Sequence, residues 1–226
     1  MLTGPFITLH SRLLKHIPSR RLIYDELRTL AFGTDASFYR LIPKLVIIVE
    51  NESEVLLVLR EASALGVSVT FRAAGTSLSG QAISDSVLLV IGPSWTNYRI
   101  GKDASTITLQ PAVIGAHANV YLAPYGKKIG PDPASINSAM IGGIAANNAS
   151  GMCCGTAQNS YRTLSSMRIV FADGTILDTS DATSRDLFMK RKSDFVKQIM
   201  SLAGRISSNP ALSDRIRRKY SMKNTT

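Results

Sequence analysis

The chain has 226 residues, 45% apolar and 19% charged, which is enough to bury a core and too apolar for intrinsic disorder. No continuous apolar run approaches the roughly 18 residues that a membrane-spanning helix needs, and the N-terminus lacks a secretory signal's apolar core. The net charge of +10 is unevenly placed: Met1 to Ser184 holds 15 Lys/Arg against 13 Asp/Glu, and the remainder 11 against 3. Solvated helical faces account for that basic tail, so no nucleic-acid partner is expected, while contact with an anionic membrane stays open. A cytoplasmic chain is the expectation, with a peripheral place at the inner membrane also open. Met1 to Arg28 is basic, which suits a transit peptide and equally an ordinary helix. Cys153 and Cys154 are adjacent, a spacing that rarely closes a disulfide and offers too few ligands for an iron-sulfur cluster. His10, His16 and His117 have no metal-ligand spacing, and no metal site is expected.

In chain order, residues 5–43 read as mainly helical, ending in the polar stretch GTDASFYRLIP that Gly33 and Pro43 punctuate. LVIIV at 45–49 is a β-branched run suited to a buried strand, and Asn51-Glu-Ser-Glu54 offers a capping box. The helix that follows places Val55, Leu56, Leu59, Ala62 and Leu65 on one face, Gly66 closes it, and VSVTF at 67–71 returns as a strand. VLLVI at 87–91 and TITLQ at 106–110 suit further strands, with a polar segment through Lys102 between them. VIGAHANVYLAPYG predicts a helix stopped by Pro124 and Gly126. Residues 129–160 are nearly free of charge and rich in Gly, Ala, Ser and Asn. SSMRIVFADGTILDT at 165–179 predicts a hairpin turning at Asp173-Gly174, and two helices close the chain.

Two segments carry chemistry. In VTFRAAGTSLSGQ a strand runs into a turn of small and hydroxyl residues, which suits a pyrophosphate because consecutive backbone N-H groups can approach it closely. It lacks both the G-x-G-x-x-G fingerprint and the P-loop pattern, and an ordinary tight connection is the plain alternative. In KIGPDPASINSAMIGGIAANNASGMCCG, residues 128–155, Asp132 sits between prolines. Gly142-Gly143 open a small-residue helix whose N-terminal amides suit a phosphate or a flavin carbonyl. Close helix packing through small residues is the alternative there.

The two segments together, about 55 residues apart, resemble the FAD-binding domain of the vanillyl-alcohol-oxidase/p-cresol-methylhydroxylase superfamily. The branch most similar is that of the D-lactate and D-2-hydroxyglutarate dehydrogenases, whose large bacterial members add an iron-sulfur half. TDASFYR at 34–40, Pro43 to Val46, and ADGT at 172–175 extend the resemblance over essentially the whole chain. It implies an α+β fold, a PCMH-type FAD-binding domain of two α/β subdomains, incomplete at its C-terminus. The lead-in would be residues 1–43, the first subdomain 44–104, and the second 105–226, with the basic helical tail from 183.

The resemblance implies that the first loop wraps the FAD pyrophosphate with Ala73, Ala74, Gly75, Thr76, Ser77 and Leu78, bordered by Gly80 and Gln81. It assigns the other flavin contacts to Asp132, Ser135, Ser138, Gly142, Gly143, Asn147, Asn148 and Ser150. The first loop holds no histidine, so non-covalent FAD is expected. Relatives commonly have glycine where this chain has Ala112, and a positive φ there would strain the backbone. The implied reaction is oxidation of a D-2-hydroxy acid, namely D-lactate, D-2-hydroxyglutarate or glycolate, with an electron acceptor of a respiratory chain. The substrate cap and any iron-sulfur cluster would lie beyond Thr226, so no catalytic residue is named. An inactive flavin-binding fragment is the competing expectation. Within enzymes the rival is a reductase or alkyl-transferring relative on the same flavin domain.

Overall fold

The computed structural model describes residues 2–221. The chain divides into two compact units: residues 2–129 with 133–149, and residues 130–132 with 150–221. The expected boundaries at 43/44 and 104/105 do not coincide with that division.

The first unit is built on a four-stranded sheet in the order β1-β2-β4-β3. Its strands are β1 (Leu22–Ile23), β2 (Leu45–Val49), β3 (Val69–Arg72) and β4 (Val87–Ile91). β1 runs antiparallel to β2, whereas β4 lies between β2 and β3 and is parallel to both. Central parallel strands are covered on both faces, which is why LVIIV and VLLVI are continuous apolar runs rather than alternating ones. Leu45, Val46, Ile47, Val49, Val87, Leu88 and Leu89 are all completely buried. β3 is an edge strand, and the connection from it to its parallel neighbour β4, residues 73–86, contains no helix.

Helix α1 (Pro5–Leu13) buries Leu9 and Leu13. Between it and β2 the expected helical lead-in is largely absent. A 3-10 turn at Ser19–Arg21 leads into β1, and α2 (Glu26–Ala31) is one short helix capped by Asp25. The cause is local: Pro18 precedes the turn, and Leu22 and Ile23 give their backbone to the sheet. Helix α3 (Glu52–Ala64) starts where expected, with the Asn51 side chain accepting from the Glu54 N-H at 3.0 Å, but the Glu54 carboxylate accepts from the Glu50 amide at 2.8 Å instead of closing the expected capping box on Asn51. Its buried face is Val55, Val58, Leu59 and Ala62, while Leu56 and Leu65 are only half-buried. β3 begins two residues later than the periodicity suggests because the Val67 amide is committed to the Ala62 carbonyl, closing α3 together with the Gly66 to Ser63 bond.

One part-buried ion pair ties these elements together. Arg21 reaches Glu54 through two bonds, 2.7 and 2.8 Å, and also donates to the Ile48 carbonyl at 3.2 Å. Burial pushes the Glu54 carboxyl up, but the Arg21 fork and the Glu50 amide outweigh it and hold its pKa below the ordinary value.

β5 (Tyr98–Ile100) and β6 (Ile107–Leu109) form a small antiparallel pair, of which only the second strand was legible. Helix α4 (Gly115–Leu122) continues into a 3-10 turn at Ala123–Tyr125. Ala112 carries no left-handed strain. It is buried and donates to the Trp95 carbonyl at 3.1 Å, and the described non-glycine residues with positive φ are Ala104 and Asn148.

Helix α5 (Ile141–Ala146) completes the first unit. The second unit has a one-turn helix α6 (Ser160–Thr163), then the expected hairpin as β7 (Arg168–Val170) and β8 (Ile176–Asp178). Phe171 stacks on Phe188 at 5.0 Å between ring centres, with Phe195 edge-on at 6.0 Å. Three helices rather than two close the described chain: α7 (Ala182–Arg191), α8 (Ser193–Ser207) and α9 (Pro210–Lys219). Lys192 leaves helical geometry between the first two, and Asn209 with Pro210 restarts the third. Neither α8 nor α9 has a buried residue.

Candidate functional site

The loop after β3 and the segment around α5 meet in the first unit and line one cleft of about 420 Å³, within the size range of small-molecule sites. From the first loop it takes Ala73, Ala74, Gly75, Thr76, Ser77 and Gln81; from the second segment Ser135, Gly143 and Asn147. Phe71, Ala82, Pro133, Ala139, Met140, Ile144, Ala146 and Ala149 also line it. These were not singled out, being apolar residues without a chemical signature. Their neighbourhood to polar loop residues was the available signal.

The loop is shaped so that a run of consecutive amides stays uncommitted. Among the described residues, the amides of Gly75, Thr76, Ser77 and Leu78 donate to no protein acceptor, whereas Ser79 and Gln81 donate to the Ser77 hydroxyl. Gly75 turns at φ +70°, and a Cβ there would meet the Arg72 guanidinium at 2.5–2.7 Å. Both the backbone conformation and the position of the guanidinium disfavour a side chain there. The Ser77 hydroxyl is bonded to the Gln81 side-chain oxygen, so it serves inside the loop. Gln81 in turn donates to the Asn147 side chain at 3.4 Å, joining the two segments.

On the opposite wall, Gly143 stands where a Cβ would lie 3.3 Å from that of Ala73, so small residues set the approach of α5 to the loop. Gly142 faces elsewhere, with its Cβ position 3.0 Å from Pro111. The expected offering of N-terminal helix amides is not what the geometry provides. Ile141 and Gly142 donate to the Val113 and Pro111 carbonyls, at 2.8 and 2.9 Å. Asn148, at φ +45°, is the left-handed residue of a helix-closing motif in which Asn148 bonds Ala145 and Ala149 bonds Ile144.

Leu78, Gly80, Ser138, Gly142 and Asn148 therefore do not line the cleft. Asp132 and Ser150 belong to the second unit, where a Cβ added at Gly151 would run into the Asp132 carbonyl.

Comparison with known proteins bears on this arrangement. A family model described as an FAD binding domain matches residues 43–180. The glycolate oxidase subunit GlcD of Escherichia coli (strain K12) is 29% identical over 180 residues, covering 76% of this chain and 36% of the relative. The D-2-hydroxyglutarate dehydrogenase of Pantoea ananatis is 27% identical over 154 residues, 66% of this chain and 15% of the relative. The chain thus spans about a third or less of the length of these curated relatives. Among solved structures, an alkyldihydroxyacetonephosphate synthase superposes with a TM-score of 0.65 at 17% identity, covering 81% of this chain and 38% of that one. A chitooligosaccharide oxidase gives 0.63 at 19%, covering 80% and 38%. At such identities the structural likeness shows the fold, and it agrees with the expected α+β, PCMH-type domain.

Proposed function

The chain belongs to the family of FAD binding domains, and from that premise we propose that its cleft holds FAD without a covalent link and that it serves an oxidoreductase acting on a D-2-hydroxy acid. The observation that carries the cofactor placement is the run of uncommitted amides at Gly75 to Leu78, turned by a left-handed glycine beside the guanidinium of Arg72. Successive N-H groups and a nearby cation suit a diphosphate, and the small apolar wall from Ala139 to Ala149 suits a flat ring system. The roles assigned to Ala73 through Ser77, Gln81, Ser135, Gly143 and Asn147 rest on that geometry. That of Leu78 rests on its free amide alone, and those assigned to Gly80, Asp132, Ser138, Gly142, Asn148 and Ser150 rest on resemblance.

Bound FAD supplies two-electron redox chemistry that no side chain has. This chain's residues hold and orient it, and the small residues on both walls let backbone approach it closely. Of the candidate substrates, D-2-hydroxyglutarate and glycolate are supported by the names of curated relatives at 25–29% identity, and D-lactate rests on the resemblance alone. We assign the acid/base and substrate-binding groups to no residue of this chain. A respiratory-chain acceptor and a cytoplasmic or peripheral inner-membrane location belong to the same proposal. A second reading is a flavin-binding module without turnover.

Titrating the purified chain with FAD, followed by flavin absorbance and fluorescence, tests the first part: saturable 1:1 binding is expected, and none at any concentration would sink it. Turnover of the three hydroxy acids with an artificial acceptor separates the readings. Oxidation of any of them supports the enzyme, and binding without oxidation supports the module.

A further inference from the structure

The residues around the loop contain a second layer that neither the cleft lining nor the resemblance assigns. The loop is fastened to the segment Thr34 to Arg40 at three places. At its start, the Ala36 amide donates to the Gly75 carbonyl at 3.0 Å. Near its end, the Gly80 backbone lies on the Tyr39 ring, where a Cβ would come within 2.9 Å of Cδ2. Just past it, the Ala82 amide donates to Asp35 Oδ2 at 3.3 Å, while Asp35 Oδ1 accepts from the Ser37 amide at 2.8 Å.

Arg72 closes the arrangement from below: its Nη1 donates to the Phe32 and Thr34 carbonyls at 3.2 and 2.7 Å, and its guanidinium lies against Gly75. The segment itself is pinned by a bridge between Thr34 and Arg40 and by the Leu41 amide donating to Gly33.

Resting on the FAD reading above, we propose that Asp35 and Arg72 are positioning residues for the cofactor loop. Residues 34–40 form the rigid frame against which residues 73–82 are held ready to bind the diphosphate. The fastening has a useful asymmetry. It consumes the Gly75 carbonyl and the Ala82 amide and leaves the amides of Gly75 to Leu78 for an anion. Arg72 donates to carbonyl oxygens rather than to a carboxylate, so its positive charge beside Gly75 is not neutralised by direct pairing. Burial pulls the Arg72 pKa down, with the Asp35 charge opposing it. Burial also raises that of Asp35, yet the bonds from Ser37 and Ala82 hold its balance below the ordinary carboxylate value. Both groups are charged at neutral pH.

The test uses the whole chain with Asp35→Ala, Arg72→Met and the charge-keeping Arg72→Lys. Backbone NMR order parameters without FAD are read first. Residues 75–81 are expected to fall from the rigid value near 0.85 to below about 0.6 in Asp35→Ala and Arg72→Met, while 45–49 and 87–89 stay rigid. FAD titration is then expected to show dissociation constants raised at least tenfold in both. Arg72→Lys should recover part of the loss at low salt and less of it at high salt, as a retained charge requires. An unchanged loop in both variants overturns the proposal, as does equal loosening of loop and sheet, which would mark a general structural role. Unchanged FAD affinity despite a loosened loop overturns it too. A wild-type chain that takes up no FAD sinks the cofactor reading separately, with the order parameters still deciding whether the frame exists.

Discussion

The sheet of the first unit and the closing helices of the second are both rich in apolar residues, yet they use them in opposite ways. Leu88 and Leu89 are completely buried between parallel neighbours, whereas Leu202 on α8 is 51% exposed and Ile199 equally so. The apolar spacing of α8 is at least as regular as that of α3, yet α3 buries Val55, Val58, Leu59 and Ala62, whereas α8, with Phe195 edge-on to Phe171, buries none of its residues. Periodicity therefore reports what a segment could bury, and burial depends on what the rest of the fold brings to it.

The sharpest way to break this contrast is truncation at equal chemistry. Leu89→Ala is expected to cost about 2–5 kcal/mol in denaturant unfolding, because it removes transfer energy and leaves a cavity. The next largest effect is expected from Arg21→Ala, on the order of 3 kcal/mol by the same measurement, since it strands the Glu54 carboxylate in a half-buried site. A cost below 1 kcal/mol there would mean that solvent reaches the pair.

Gly75→Ala should cost roughly 1–2 kcal/mol for a left-handed alanine pressed on Arg72, and it should weaken FAD binding. A variant that binds FAD as tightly as the parent would separate the loop's shape from its use. The Glu54 carboxyl, depressed in the folded state, contributes stability in full above its unfolded value near 4.5, and that contribution is lost as pH falls through the lower folded value. Glu54→Gln should flatten this acid limb of the stability profile; an unchanged limb would assign it to other carboxylates. The smallest effect belongs to Leu202→Ala, within about 0.5 kcal/mol. A cost like that of Leu89→Ala would show the α8 face to be covered in solution.

Much of the first unit was legible because its signals are local. LVIIV, the Asn51 cap and Gly66 name their own structures, and the small-residue loop announced itself through Gly75 and its neighbours. The lead-in was misread as helix because the pairing of Leu22 and Ile23 with β2 depends on residues more than twenty positions away. β5 was missed for the same reason, having only Tyr98, Arg99 and Ile100 to show for itself. In the site, residue type identified Thr76, Ser77 and Gln81 as polar, but not that Ser77 and Gln81 bond each other. Nor could it say that Gly142 packs on Pro111 while Gly143, one residue on, faces Ala73. Neighbouring positions on a helix point 100° apart, and only the placed helix tells them apart. Asp35 and Arg72 looked like ordinary charged residues because their partners are backbone groups, which carry no sequence signature.

The order β1-β2-β4-β3 gives residues 73–86 a second task. They are the return path by which the chain comes back from the far end of β3 to start β4 in the same direction, a journey usually entrusted to a helix. Until that path is laid, β2 and β3 have no common neighbour and the sheet cannot zip. Whatever steadies the path also steadies the assembled sheet, and a ligand gripped there shifts the folding equilibrium of the entire unit by mass action. Melting temperature should thus register cofactor occupancy as directly as any optical signal from the flavin.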